Sequence, residues 1–465
     1  MKRVKYLPHE GRQGSALVLS LIFLVVFSAM AIAMAGMSGS NVQVAQNQRM
    51  LDNTRGCAES GLEVLRYWVS KVEMSGTMPA DQRFANLGTV LGIKLSDAGV
   101  TNIVPVCDGS MITISNVSLQ TSSNQSFTAV FTKIDDSKVR LEVTGHCGPI
   151  SRTIRTNYTF STRAHNVFDY GVASKGPISL SGNVDLDGVN INVESNAYIV
   201  SDSSLLALSI IGNSQIAGHV EIANPLAYVY LQGGHAGIGG VTGAEATQPP
   251  YTKIGVGPSE FPEMHPSDFY HYATNTLSPT TNLAANASYD NLLIPAGRNP
   301  DFTGHLTLRG VIYVQTPNVV TFSGGVNITG IMVTDGSDTD DSGTNQIVFL
   351  GNVTSYPITQ LPQETKFAGL QAETGTFMIA PGFKARFGGS FGTLSGAIAA
   401  NGIEFFGNAG GTIDGSILNY SDAAMTLSGN SDLLFNRSGL TEVPAGVVPE
   451  IVLRYDPSAY SEVTL

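Results

Sequence analysis

Apolar residues fill the chain from Ser15 to Met37, interrupted only by Ser and Gly, and no charged side chain occurs between Arg12 and Arg49. A run of this length spans a bilayer as a helix, because a helix satisfies its own backbone hydrogen bonds in lipid. From Ser40 to Val72 there is no Pro, and the apolar positions thin to Leu51, Cys57, Ala58, Leu62, Leu65, Val69 and Val72. That spacing is one face of a 3.6-residue helix. Gly56 and Gly61 each cost roughly 1 kcal/mol relative to Ala there, which predicts a bend. One helix from Ser15 to Val72 is roughly 85 Å long at about 1.5 Å per residue, a rod suited to a filament subunit rather than a globular core.

The period then changes to two. Met111–Leu119, Phe127–Lys133, Val139–Gly145 and Ser151–Phe160 alternate Val, Ile, Thr or Phe with polar residues, and Asp135-Asp136-Ser137 supplies a turn. This predicts an antiparallel meander after the helix. Beyond Phe168 short β-rich runs repeat around a Gly-Asn or Gly-Gly corner: SLSGNVDLDG from Ser179, SIIGNSQIAG from Ser209, TFSGGVNITG from Thr321, VFLGNVTS from Val348, ARFGGSFGTLSG from Ala385, EFFGNAGGTIDG from Glu404 and TLSGNSDLL from Thr426. Gly388, Gly407 and Gly429 recur at about 20 residues, a solenoid period. Each unit has one apolar face too small to bury alone, so neighbours stack and share a core, while Gly and Asn accept positive φ at the corners. The reading is a right-handed parallel β-helix, with an array of Ig-like sandwiches as the alternative. Residues 233–287 break the rhythm with GGHAGIGGVTGAEATQPP and EFPEMHPSDFYHYATN and read as an insertion.

A short basic leader precedes the apolar run, with Lys2, Arg3, Lys5 and Arg12 before Gln13-Gly14. A basic flank keeps that end cytoplasmic and sends the remainder outward. The leader ending in Gly14, the helix beginning LVLSLIFLVV and the later CAESGLEVLRYW together resemble the amino-terminal region of type IV pilin-like proteins, above all PilX-type minor pilins and K-type minor pseudopilins. The resemblance covers about the first sixth of the chain. It implies cleavage by prepilin peptidase between Gly14 and Ser15, then packing of the apolar helix, with Leu17, Leu19, Leu21, Phe23, Val26 and Phe27, into a filament core. Major pilins carry Glu at the fifth mature position; here Leu19 stands there, as in minor or tip-associated subunits. VTGHCGPISRTIRTNYTF resembles the late strands of PilX-like heads, and the repetitive body resembles the β-solenoid attached to some of them. On pattern alone, a signal anchor and a cleaved secretory signal, with Ala29-Met30-Ala31 or Ala33-Met34-Ala35 as its site, stay open.

Composition narrows the partners. The chain has 465 residues, 51 of them Gly, 13% charged, and a net charge of -12. From Asn166 onward about nine Lys and Arg face about two dozen Asp and Glu, a surface that repels nucleic acid. Three cysteines do not make a disulfide framework. In an oxidising compartment Cys107 and Cys147 are the candidate pair, while Cys57 lies on the apolar face of the helix as a small buried hydrophobe.

Catalytic signals are weak. The histidines form no H-x-H or H-E-x-x-H pattern, so zinc chemistry has no support. Gly388-Gly389-Ser390-Phe391-Gly392 matches G-x-S-x-G in letters only, since strand-like sequence continues on both sides where a nucleophile elbow needs a helix. Gly237-Ile238-Gly239-Gly240 is not followed by a helix and does not read as a nucleotide loop. Asp335, Asp338, Asp340 and Asp341 are the candidate Ca²⁺ ligands, but Phe349 stands where a bidentate Glu would complete the loop, so a solvated acidic loop is the competing reading. Asp185 and Asp187 sit two apart on one strand face, as in a polysaccharide lyase, without a neighbouring Lys or Arg to serve as base.

The sequence therefore describes an α+β chain: a leader at 1–14, a transmembrane pilin-like helix at 15–72, a small antiparallel β head at 73–165, a parallel β-helix at 166–440 and a tail at 441–465. Its expected role is non-enzymatic, without a cofactor unless Ca²⁺ binds. The resemblance implies a minor pilin-like subunit of a type IV pilus or type II secretion filament, displaying the β-helix for adhesion or assembly. The partners it implies are other pilins or pseudopilins, prepilin peptidase, the bacterial inner membrane and a surface glycan or protein ligand, with the bulk of the chain expected to be periplasmic or extracellular. The alternative is a surface-anchored β-helix protein that binds or cleaves polysaccharide.

Overall fold

The computed structural model describes residues 13–120, 124–337, 343–437 and 443–463. They divide into two compact units, the first containing 13–74, 78–161 and 452–463, the second 75–77 and 162–451.

In the first unit, helix α1 (Gln13–Val69) runs for 57 residues. Its rear half buries Thr54, Cys57, Ala58, Gly61, Leu62, Leu65 and Val69, the stripe that the apolar spacing predicts. Strands β1 (Glu73–Ser75), β2 (Pro105–Asp108), β3 (Met111–Gln120), β4 (Gln125–Lys133), β5 (Lys138–Cys147) and β6 (Ile150–Arg163) form the sheet it packs on. From β2 to β6 neighbours are antiparallel. The turn before β5 is closed as its residues suggest, with Ser137 donating from its backbone N and Oγ to Asp135 Oδ1, both at 2.7 Å. Helix α2 (Arg83–Asp97) adds Phe84, Leu87, Leu91 and Leu95 to the core.

Helix and sheet meet backbone to backbone. A Cβ on Gly145 would lie 2.2 Å from the carbonyl oxygen of Thr54 and 2.5 Å from the amide N of Ala58, and one on Gly61 would lie 2.6 Å from Cγ of Phe127. Gly61, where a bend was expected, lies within the continuous helix and is small because β4 and β5 press against it.

The chain's end corrects one boundary. Glu450–Val463, expected within a tail, is a 14-residue strand seated between β1 and β6 in the seven-stranded sheet. Its alternation is broken by Asp456-Pro457-Ser458, where Ser458 caps Asp456, and this hides the strand pattern from a period-two reading.

The second unit consists mainly of parallel strands in a 14-stranded and a 12-stranded sheet. One core serves both: Leu180, Phe405 and Leu427 point inward from the first sheet, and Val172, Ile398 and Ile417 from the second. Parallel in-register pairing places like side chains about 4.8 Å apart. Phe302, Phe322, Phe349, Phe387 and Phe405 consequently form a stack, with ring centroids 5.4, 5.0, 5.1 and 5.0 Å apart and planes within 16°. Each such pair contributes about 0.5–1.5 kcal/mol beyond area burial.

The Gly-Asn corners stack as well. Asn213 donates to Asn183 at 3.0 Å, Asn183 to Asn430 at 3.0 Å and Asn430 to Asn408 at 3.4 Å. Gly182 (φ 108°) and Gly429 (φ 88°) lie in the left-handed region, and a Cβ on Gly182 would lie 2.5 Å from the oxygen of Gly429.

The spatial order is not the chain order. Ile178–Gly188 pairs on one side with Leu206–Gly212 and on the other with Met425–Phe435, in register from Ile178↔Met425 to Gly188↔Phe435. Val172–Ser174 is likewise flanked by Ala197–Ile199 and Ile417–Asn419. The chain thus starts in the middle of the ladder and climbs to Thr252–Ile254 at one edge. It re-enters at Asn275–Thr276 on the opposite edge and returns strand by strand to its starting point. The span is about 48 Å for ten inter-strand steps of about 4.8 Å, within the roughly 66 Å reach of 20 extended residues.

The insertion assigned to 233–287 is correspondingly smaller. Gly237–Ile238 pairs with Gln215–Ile216 and Thr252–Ile254 with Val220–Ile222, so both belong to the sheets. The longest stretch outside them is 255–274, whose Phe269 packs with Val311, Tyr313, Ile331 and Val333 from the second sheet.

Candidate functional site

The front half of α1 is a continuous exposed apolar surface in the first unit. Leu17, Leu19, Leu21, Phe23, Val26 and Phe27 are 47–68% exposed, and Leu24 and Val25, between them, are exposed too. A helix apolar on every side belongs in lipid or in a bundle core, and the span within Ala16–Val69 is long and apolar enough to cross a membrane. The hydroxyl of Ser20 donates to the Leu17 carbonyl at 2.9 Å, so this polar group is satisfied inside the helix. Gly14 and Ser15 lie in the first turn of α1, and the leader up to residue 12 falls outside the described residues.

The three cysteines carry free thiols. Cys107 is exposed on β2 and pairs across to Ile112, in a row that continues through Phe131 to Leu141 on β5. Cys147 is six residues beyond Leu141 on that strand. The separation is about 14 Å across three strand spacings and about 20 Å along the strand, against an upper Cα limit of about 7 Å for a disulfide. The expected Cys107–Cys147 pairing is therefore not formed; proximity in sequence to a shared head domain did not fix register.

In the second unit the carboxylate pair gains neighbours that linear reading could not supply. Asp185, Asp187, Asn213, Gln215 and His235 line a groove of about 440 Å³. Asp432 is the in-register partner of Asp185, although 247 positions later in the chain. Burial, then the Asp432 and Asp187 carboxylates, push Asp185 above the ordinary carboxylate range. The residues lining this groove include no Lys or Arg, so it offers oxygen acceptors and one imidazole. The signal available in sequence was the likeness of SLSGNVDLDG to TLSGNSDLL, which marks the two as ladder neighbours.

The acidic-loop candidates separate. Asp335 accepts hydrogen bonds from the backbone N and Oγ1 of Thr316, which makes it a cap between adjacent turns. Asp338, Asp340 and Asp341 lie outside the described residues. Among the described residues, no three His, Cys, Asp or Glu side chains are grouped to hold a metal ion. The Gly388–Gly392 stretch is a bend between Lys384–Phe387 and Thr393–Leu394, and Ser390 Oγ donates to Asn352 Oδ1 at 3.1 Å. A Cβ on Gly389 would lie 2.2 Å from the Gly351 oxygen, so these glycines permit stacking.

The most deeply buried charge cluster is structural. Glu450, 5% exposed, lies 3.0 Å from Arg163 and 2.9 Å from His165. Burial pushes its carboxyl up, but the hydrogen bonds and charges of His165 and Arg163 outweigh this and hold it below the ordinary range.

No protein-family model matches the chain, and no curated protein matches it. Among solved structures, a competence-associated pilin, ComZ from Thermus thermophilus, aligns over 89% of this chain and 97% of its own at 10% identity, with a TM-score of 0.23. An ice-binding protein from the Antarctic ascomycete Antarctomyces psychrotrophicus aligns over 58% of this chain and 97% of its own at 13% identity, with a TM-score of 0.22. At these TM-scores neither superposition defines a common fold.

Proposed function

We propose that the chain is a pilin-like subunit of a type IV pilus or type II secretion filament, of the PilX-type minor class, anchored by α1 and carrying a β-solenoid payload. One observation carries this reading: a single helix whose rear half is docked on its own sheet while its front half is apolar all round and exposed. A signal anchor needs only the front half. A rigid continuation into a folded head suits a subunit that leaves the bilayer and bundles with sister helices, exchanging lipid for helix contacts of similar apolarity. In this reading prepilin peptidase cuts between Gly14 and Ser15, other pilins or pseudopilins cover Leu17 to Phe27, and the body is displayed at the cell surface for adhesion or assembly. The solenoid assignment is supported by the in-register ladders, the shared core and the stacked Asn corners.

Amino-terminal sequencing of the mature chain, with and without the peptidase, tests the proposal. A start at Ser15 that depends on the enzyme agrees with it. A start at Ile32 or Gly36 points to ordinary secretion, an intact Met1 to a signal anchor, and either outcome rejects it.

The groove at Asp185 and Asp187 favours a second reading, a surface-anchored solenoid that binds or cleaves polysaccharide. A glycan screen combined with a turnover assay on the full chain separates the two, since depolymerisation requires the second.

A further inference from the structure

We infer that the strand Tyr228–Gln232 is a docking edge for a second copy of this chain, the two copies pairing antiparallel across a two-fold axis at Val229. The inference makes no use of the filament reading and concerns the second unit alone.

Among the described residues, Tyr228–Gln232 pairs in parallel with Leu206–Gly212 and has no strand on its other side. Its five residues make it the longest strand at the ends of the ladders. Val241–Thr242, Asn275–Thr276 and Asp301–Phe302 have two residues each, and Thr252–Ile254 has three. Shortness and charge blunt an exposed edge. Thr252–Ile254 adds Lys253, paired with Glu221 at 2.8 Å, and Val241–Thr242 folds back antiparallel on Gly237–Ile238. Tyr228–Gln232 has none of these devices. No Asp, Glu, Lys or Arg occurs between Glu221 and Glu245, nor between Asp202 and His219 on the neighbouring strand, and Pro225 stands before the strand rather than in it. In a chain of net charge -12, two copies meet at this edge without like charges.

The backbone sets the pairing. The amide of Tyr228 donates to the Leu205 carbonyl at 2.7 Å, toward the neighbouring strand. Backbone groups alternate sides along a strand, so the N–H and C=O of Val229 and Leu231 point to the open edge. Placed opposite itself in an antiparallel pair, Val229 exchanges both hydrogen bonds with the second copy's Val229. Tyr228 then stands at the close, non-hydrogen-bonded position opposite the second copy's Tyr230, where aromatic pairs stabilise a sheet. Leu231 donates to the second copy's Ala227 carbonyl. The pairing stops there, because the Ala227 amide is already bonded to the Asn224 carbonyl at 3.2 Å. Head-to-tail stacking finds no such match, since the far end of the ladder offers two-residue strands; a closed two-fold contact is the geometry left.

The side chains set the strength. Tyr228, Tyr230 and the flanking Leu205 and Leu226 are 43–77% exposed. At roughly 200 Å² for a fully exposed large side chain, they present about 450 Å² per copy, against about 800 Å² per partner in a standard complex. The dimer is therefore weak, with dissociation in the micromolar range.

The test is sedimentation of the full chain in detergent from about 1 to about 100 µM, a range that brackets such a dimer, with hydrogen exchange on the same samples. A monomer–dimer equilibrium is expected, in which the Val229 and Leu231 amides gain protection with concentration while the Tyr230 amide is protected throughout. Val229→Pro removes an edge-facing donor and leaves the bonds to Leu206–Gly212 in place. It should weaken association at least about tenfold, with unaltered circular dichroism. Tyr230→Lys, which puts a charge on the edge, should do the same, whereas Leu24→Arg in α1 should leave association unchanged. A chain that is monomeric at the highest concentration, or a dimer that both edge variants leave intact, overturns the inference. Protection of Val229 and Leu231 that appears only on adding cell extract assigns the edge to a foreign strand and overturns it too. Because the assay needs no leader cleavage, edge-dependent dimers of a chain that keeps Met1 in cells leave this inference standing while rejecting the functional proposal.

Discussion

Leu24 and Leu65 belong to one unbroken helix, yet Leu24 is 68% exposed and Leu65 is completely buried. Around Leu65 the sequence alternates faces. Arg55, Glu59, Glu63 and Arg66 are exposed, and Arg55 pairs with Glu59 at 3.0 Å along the helix and with Glu462 at the rim of the sheet at 2.8 Å. Around Leu24 no such polar side exists. The two halves are thus written for different surroundings: the rear for water on one side and a protein core on the other, the front for an apolar medium on every side. The contrast also locates where the chain can keep its fold while changing environment. On the proposed function, exchange of lipid for sister helices would involve only the front half and leave the contacts of Leu62, Leu65 and Val69 untouched.

The same substitution in each half gives the largest separation. Leu65→Ala should lose about 2–5 kcal/mol of stability by opening a cavity under the helix, whereas Leu24→Ala should leave the unfolding midpoint of the detergent-solubilised chain unchanged. Equal losses would mean that the front half has a partner within its own chain. A charge reverses the sensitivity. Leu24→Arg should cost about 2.5–3.5 kcal/mol of membrane insertion, seen as a shift from the membrane to the soluble fraction, with the β-sheet circular dichroism unaltered.

Glycine substitutions probe backbone contact. Gly145→Ala drives a methyl into the Thr54 carbonyl and should cost about 1–3 kcal/mol. Gly36→Ala, with nothing within 4 Å of its Cβ, should be neutral in the same urea titration.

Acid sharpens the comparison further. The folded-state carboxyl of Glu450 is held below its ordinary value, so its contribution is complete above about pH 4.5, the usual Glu range, and is lost as pH falls through the depressed value. Urea titrations between pH 6 and 3 should show the second unit weakening, an effect that Glu450→Gln largely removes. Vesicle partitioning of the front half, which has no titratable side chain between Gln13 and Gln48, should stay constant over that range.

The smallest effect concerns the groove. Asp185 has a raised carboxyl, so ionising it at neutral pH opposes folding, and Asp185→Asn should stabilise by about 0.5 kcal/mol through relief of the in-register carboxylate pair. A destabilised variant would show that Asp185 has an attractive partner.

Much of this was legible because it depends on local period. The helix, its buried stripe, the four strands of the meander and the Asp135–Ser137 turn all follow from spacing within a few residues. The Gly-Asn repeats were legible too, as units. Their order was not. Ser179–Gly188 resembles Thr426–Leu434 because they are hydrogen-bonded neighbours, but a repeat carries no record of which copy it abuts, and a parallel ladder accepts any copy with a matching corner. The Asp185–Asp432 juxtaposition and the smaller insertion were hidden for that reason. Cysteine pairing was misread because it depends on cross-strand register, which places Cys107 opposite Ile112, in a row that meets β5 at Leu141, six residues short of Cys147.

The central claim is that the front half of α1 moves from lipid into a bundle of similar helices. A photo-crosslinking residue at Val25, in cells producing the full chain, tests it most directly when the membrane and the sheared surface fractions are analysed separately. The account predicts lipid adducts in the membrane fraction and crosslinks to other pilin-like helices in the surface fraction. Lipid adducts alone, with no chain recovered from the surface fraction, would contradict it.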